Sequence, residues 1–329
     1  MRVRPTSTAN RRLPPIACAI LVVAATLALG PAPASAQQQW ATGPVPGYGL
    51  WGMGSIVALL LVFLLLRGRI KIEHGWAGRS ITRFGAIERF AHWLLASSFS
   101  ILALTGLNGV YGHHLVLPMV GADRFSEISL WGRWLHHHVG VAFMAGLALA
   151  FLLWLRFNLP HWRDAVWLLK GGGMLVRRSH PPALKFNAGQ KLLFWLVMLG
   201  GVSLSLSGVA LLFPRQSAVI SKSFDLLNSL ASYAGLAARL PAHLTSAQEM
   251  HYAATLHGVA GLALIVVIIA HIYIRTLGVQ GAFRAMGSGQ VDVNWARQHH
   301  SIWAQRELER LEEQMADVET GAARVAPAE

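Results

Sequence analysis

Beyond residue 18 the sequence contains no cysteine. Cys18 lies in a leader-like N-terminal stretch, so the rest of the chain has no disulfide, no thiolate iron–sulfur or zinc site and no C-x-x-C-H motif for covalent haem attachment. Charge is scarce as well. Asp, Glu, Lys and Arg make up 13% of the 329 residues, with 15 acids against 28 Lys and Arg. Little of the chain could therefore solvate the surface of an ordinary soluble domain. No stretch reads as a soluble catalytic domain, and no internal repeat stands out beyond pairs of helices.

What is present is apolar. Hydrophobic residues reach 54% and mean hydropathy is +0.45, which fits a multi-span, all-α membrane protein. A formal net charge of +13 could suggest nucleic acid. The Lys and Arg residues cluster in short loops between apolar runs, however, which is the positive-inside pattern of a lipid-embedded chain and not a nucleic-acid surface.

Residues 1–36 read as a secretory signal. Arg2, Arg4, Arg11 and Arg12 form the basic region, Ile16 to Leu29 the apolar core, and Ala34-Ser35-Ala36 the cleavage site. An uncleaved first span is the rival reading. Residues 37–79 then hold a short external segment and an extra span at 50–66, which ends at Arg67-Gly68-Arg69-Ile70-Lys71. Four further spans are expected within 80–275: about 90–110, 134–155, 192–213 and 252–274. Basic loops at 67–89, 156–191 and from 275 onward alternate with weakly charged ones at 111–133 and 214–250. This alternation places the mature N-terminus outside and a tail, 276–329, in the cytoplasm. Within that tail, 303–318 has helical character and would lie on a partner or in solvent.

The last span carries His257 and His271 with no charged or polar side chain between them. Fourteen residues separate them by about 21 Å along a helix and leave them within about 40° of one face. They therefore sit near opposite edges of a hydrocarbon layer about 30 Å thick. Ionisable groups in a membrane helix are functional by default. The charge rule sets the depth of two more: His92 near the inner end of its span and His136 near the outer end of its own. Four histidines thus sort into an outer pair, His136 with His257, and an inner pair, His92 with His271. Two noncovalent, bis-histidine b haems follow. Gly132, Gly140 and Gly261 leave room for a flat ring near the outer pair. His137 and His138 are read as interfacial, and His113, His114, His161, His180, His243, His251, His299 and His300 mostly as solvated or interfacial.

Lys185-Phe186-Asn187-Ala188-Gly189-Gln190-Lys191 precedes the span at 192–213. Asn187 and Gln190 have the spacing of a capping box at a helix start. The same carboxamides, with Gly189 between them, could hydrogen-bond a quinone carbonyl beside the inner haem. Both readings stand on pattern alone.

Several short motifs, in this order and spacing, resemble the gamma subunit, a cytochrome b, of membrane-bound respiratory formate dehydrogenase. They are Arg89-Phe90-Ala91-His92-Trp93, Gly132-Arg133-Trp134-Leu135-His136, Asn187-Ala188-Gly189-Gln190-Lys191, the His257/His271 pair and Trp295-Ala296-Arg297-Gln298-His299-His300. The resemblance covers about 80–310. It implies a four-helix transmembrane bundle in a bacterial inner membrane. His136 and His257 would hold the outer haem b, and His92 and His271 the inner one. Asn187, Gly189 and Gln190 would line a site for menaquinone or ubiquinone. The implied partners are an iron–sulfur beta subunit and the formate-oxidising alpha subunit. The leader and the extra span at 50–66 depart from the four-span plan. A cytochrome b subunit of a hydrogenase or related quinone-reducing oxidoreductase is the neighbouring reading. A haem-free membrane anchor or transporter is the reading from another class.

Overall fold

The computed structural model describes residues 44–173, 179–213, 218–237 and 240–325. The expected signal segment, 1–36, lies outside the described residues. In chain order the elements are α1 (Pro44–Arg67), β1 (Ser80–Thr82), α2 (Ala86–Leu115), α3 (Leu117–Val120), α4 (Ala122–Trp154), α5 (Trp162–Leu169) and α6 (Ala188–Leu212). They continue with α7 (Val219–Tyr233), α8 (Ser246–Tyr273), α9 (Arg284–Gly287), β2 (Gln290–Asp292), α10 (Val293–His299) and α11 (Ser301–Val325).

Among the described residues, five helices are long and apolar enough to cross a membrane: Val45–Arg67, Ala86–Leu115, Ala122–Phe157, Ala188–Leu212 and Ser246–Gly278. They are the five expected spans with longer ends. The loop expected at 111–133 is nearly absent. Only Val116 and Gly121 interrupt the helices there, and Gly121 turns the chain at φ 81°. Asp123, Arg124, Glu127 and Arg133 sit on α4 instead. A helix of 33 residues is about 50 Å long, so its charged first turns can clear a hydrocarbon layer of about 30 Å.

The described residues divide into two compact units, one built from 46–202 with 261–325 and the other from 203–260. In the first, small residues set how closely helices approach. A Cβ on Gly146 of α4 would lie 3.1 Å from the backbone nitrogen of Leu95 on α2. One on Gly201 would meet Leu147 at 2.8 Å. The extra span α1 is tied in at Gly49, which faces Tyr111 and Leu262, and by Tyr111 Oη donating to Pro46 O at 2.7 Å. Its remaining surface, including Leu59, Leu65 and Leu66, is exposed and apolar, as suits contact with lipid.

The same unit has a packed cap. β1 and β2 pair antiparallel, Ile81 opposite Val291, and Ile70 bridges to Val279. Ile81, Phe84, Phe186, Val291, Trp295 and Ala296 form its core. Asp292 is buried, caps α10 through Asn294 N at 2.9 Å, and accepts from Ala77 N at 2.9 Å. Residues 276–300, the first part of the expected tail, thus fold back onto 70–84. Only α11 extends beyond, with Met315 and Val318 exposed. α5 is tethered by Lys191, which reaches Asp164 Oδ2 at 2.9 Å and Leu159 O at 3.0 Å.

In the second unit, Glu249 on the first turn of α8 is buried and caps α7. It accepts from Ile220 N at 2.6 Å and from Ser221 Oγ at 2.8 Å. Ala210, Ile220, Phe224 and Ala253 pack beneath.

Candidate functional site

His92 lies in the second turn of α2 and His271 in the last turn of α8. Their ring centres are 6.4 Å apart, with planes inclined at 51°. His92 Nδ1 is buried and has no hydrogen-bond partner among the described residues. Metal–imidazole bonds of about 2.0–2.1 Å on opposite sides of one ion, with the rings' own radius, put ring centres roughly 6 Å apart. The spacing is therefore one at which His92 and His271 could together hold one haem iron. The neighbours fix α2 in place. Trp93 Nε1 donates to Met286 O at 2.9 Å, and Arg89 donates to Gly287 O at 2.9 Å. A single π-helical turn, Ile274–Gly278, follows directly after α8.

His136 and His257 show one local arrangement twice, each within its own unit. His136 Nδ1 is 2.8 Å from Thr105 Oγ1. The Thr105 hydroxyl donates to Ile101 O at 2.8 Å, so its oxygen accepts from the Nδ1–H of His136. That tautomer leaves the lone pair on Nε2, the form a metal needs. His257 Nδ1 is 3.0 Å from Ser207 Oγ, which donates to Ser203 O at 2.6 Å. A glycine follows each hydroxyl. A Cβ on Gly106 would lie 3.5 Å from His136 Cε1, and one on Gly208 would lie 3.5 Å from His257 Cε1. The flanking Gly140 opens onto empty space, and Gly132 meets only ordinary contacts near 4 Å. His137 and His138 are exposed, and His138 stacks on Trp134 at 4.3 Å, so the geometry favours His136 within the triple. Thr105, Gly106, Ser207 and Gly208 escaped the sequence reading. The recurring hydroxyl–glycine pair on the helix beside each histidine was the available signal.

Asn187 and Gln190 form the reciprocal capping box. Asn187 N donates to Gln190 Oε1 at 3.1 Å, and Gln190 N donates to Asn187 Oδ1 at 3.0 Å. Both carboxamide oxygens are thus committed to the start of α6, and the two amide NH2 groups remain as donors. Gly189 does not open onto free space. A Cβ there would lie 3.1 Å from the Trp167 indole. Asn187, Phe186, Trp167, Asp164 and His161 line a small hollow that is partly open to solvent.

Two histidines read as solvated are not. His300 is 1% exposed, with Nδ1 2.8 Å from Leu184 O. His299 is largely buried against Trp295, ring centres 5.0 Å apart. Burial, with His180, Arg275 and Arg83 nearby, pushes His299 down to about 3. Beside them Arg83 is 3% exposed, lies over Phe84, Trp295 and Trp303, and donates to Lys185 O. Burial and Arg275 push its guanidinium below its ordinary value, while Glu88 acts the other way. Glu88 itself pairs with Lys185 at 2.7 Å and accepts from Trp154 Nε1 at 3.0 Å.

The family model of prokaryotic cytochrome b561 matches residues 83–289. The formate dehydrogenase cytochrome b556(fdo) subunit of Escherichia coli K12 is 29% identical over 239 residues, covering 72% of this chain and 98% of that protein. The nitrate-inducible formate dehydrogenase cytochrome b556(Fdn) subunit of the same strain is 29% identical over 236 residues, with 71% and 94% covered. The formate dehydrogenase cytochrome b556 subunit of Haemophilus influenzae is 28% identical over 250 residues, with 73% and 90% covered. The resemblance read from the histidine motifs is borne out by these relatives.

Proposed function

The chain belongs to the prokaryotic cytochrome b561 family, and we propose that it is the cytochrome b subunit of a formate dehydrogenase complex in a bacterial inner membrane. It carries electrons from an external iron–sulfur partner to quinone reduced near the cytoplasmic side. The observation that carries the reading is the His92–His271 pair, 6.4 Å between ring centres, in a chain whose relatives are named as formate dehydrogenase cytochrome b556 subunits.

His92 and His271 hold an inner haem b; His136 and His257 hold an outer one. The haems supply reversible one-electron chemistry when bound. The chain's own residues do the rest. Thr105 and Ser207 hold their histidines in the ligating tautomer. Glycines leave the ring faces clear, and the apolar helices exclude water. The amide groups of Asn187 and Gln190 donate to a quinone carbonyl, with Gly189 seating Trp167 beside them. Residues 1–36 are a signal segment, α1 is an added span, and the C-terminal segment with its cap faces the cytoplasm.

Purification of the native complex through a C-terminal tag, followed by assay with formate and with hydrogen, tests the proposal. Formate should reduce b-type absorption bands that added quinone then reoxidises. Reduction by hydrogen and not by formate would transfer the subunit to a hydrogenase.

A further inference from the structure

Behind the His92–His271 pair, the cap holds imidazoles that haem ligation does not use. His180 and His299 have ring centres 6.4 Å apart, and the Nε2 of each is buried without a hydrogen bond among the described residues. His180 Nε2 lies 3.0 Å from Glu73 Oε2, close but off hydrogen-bond geometry, and the Glu73 side chain is 36% exposed. Glu73 N donates to Gln298 Oε1 at 2.9 Å, which ties it beside His299. The inner end of this row meets two things. Arg275, whose charge acts on His299, is one turn past His271. His300 Nδ1 bonds Leu184 O at 2.8 Å, and Trp303 N donates to Ala183 O at 3.4 Å, on the segment that leads into Asn187.

We propose that Glu73, His180 and His299 form the proton-entry line for the quinone bound beside Asn187, an inference that rests on the quinone-reducing reading above. Reduction of a quinone to a quinol takes two electrons, which the donor subunits supply, and two protons, one for each ring oxygen. Each proton passes from bulk water to the Glu73 carboxylate, then to the His180 imidazole, then to His299 and onto the quinone oxygen. Every relay group returns to its starting protonation state. With 6.4 Å between the two ring centres, a ring rotation hands the proton across. Burial, with His180, Arg275 and Arg83 nearby, keeps His299 neutral at ordinary pH, so it accepts a proton only in transit and does not store one.

The test uses membranes holding the whole complex, with haems reduced by dithionite so that the identity of the donor does not enter. Reoxidation by a water-soluble ubiquinone analogue is then timed. Glu73→Gln, His180→Gln and His299→Gln should keep normal reduced spectra and reoxidise roughly 10²-fold more slowly, the usual scale of a lost proton-transfer group. Deuterated water should slow the variants further, and added imidazole should restore part of the rate in His180→Ala. Proton uptake, followed with a pH dye, should lag in step. Wild-type rates in all three variants overturn the line. So do slow rates that respond to neither imidazole nor deuterium, which would mark the residues as packing only. A wild-type complex that the quinone does not reoxidise overturns the quinone-reducing reading itself, and shows it before any variant is made.

Discussion

A hydroxyl facing a ligand histidine decides which imidazole nitrogen meets the metal. Thr105→Val and Ser207→Ala remove that acceptor from the Nδ1–H of His136 or His257. Loss of such outer-shell partners costs roughly 10- to 100-fold in metal affinity. The outer haem should therefore be retained less well, and its midpoint potential should rise as its ligand becomes less basic. Potentiometric titration of the b bands checks this, and potentials unchanged in both variants would remove the hydroxyls from the account. At the start of α6, Gln190→Ala should cost roughly 1 kcal/mol of helix stability and slow haem reoxidation by quinone. Wild-type reoxidation would leave the segment as a cap only. Gly189→Leu is the harsher variant, because its side chain must displace Trp167. The four histidines were legible because an ionisable group stands out in an apolar run. Thr105 and Ser207 were harder to pick out, because Ser97, Ser98 and Ser100 bond carbonyls of their own helix in the same way, and the following glycine, which those three lack, was the mark that could have set them apart.

Five long apolar runs announce five helices, so α1, α2, α4, α6 and α8 were readable. The cap was not. β1 and β2 are three residues each, too short for a periodic pattern, and they pair residues such as Ile81 and Val291 from opposite ends of the chain. The cap should also respond to pH. His299 sits at about 3 in the folded chain against an ordinary 6.5, and His300 is likewise lowered by burial. The unfolded segment therefore binds more protons over that window, so the stability present above about pH 6.5 is lost as pH falls toward 3. The protection of the Ile81 and Val291 amides from hydrogen exchange, taken relative to the intrinsic rate at each pH, should fall on acidification, and His299→Gln should flatten that dependence. Protection independent of pH in the wild type would contradict the burial of these imidazoles. Between α2 and α4, Gly146→Leu should push the helices apart at Leu95 and lower the yield of folded protein, read as the fraction recovered in a monodisperse peak. A wild-type yield would mean that the approach at this glycine is not needed.

For the molecule as a whole, the charge alternation and the histidine depths make up the proposed scheme: electrons would enter from outside, and quinone and protons would meet near the inside. Charge would be separated without any proton crossing the membrane. Reporter fusions should find Gly235 outside and Gly172 and the C-terminus inside. A fusion at Gly172 that reports outside would reverse the depths of all four histidines. What underlies everything else is the proposal that this single chain holds two b haems between paired histidines. The direct measurement is haem-to-protein stoichiometry in the purified chain, alongside His257→Ala and His271→Ala. Two noncovalent b haems in the wild type, with the outer one lost in the first variant and the inner one in the second, is the expected result. A wild-type chain without b-type bands, or a stoichiometry of two in either variant, would contradict it.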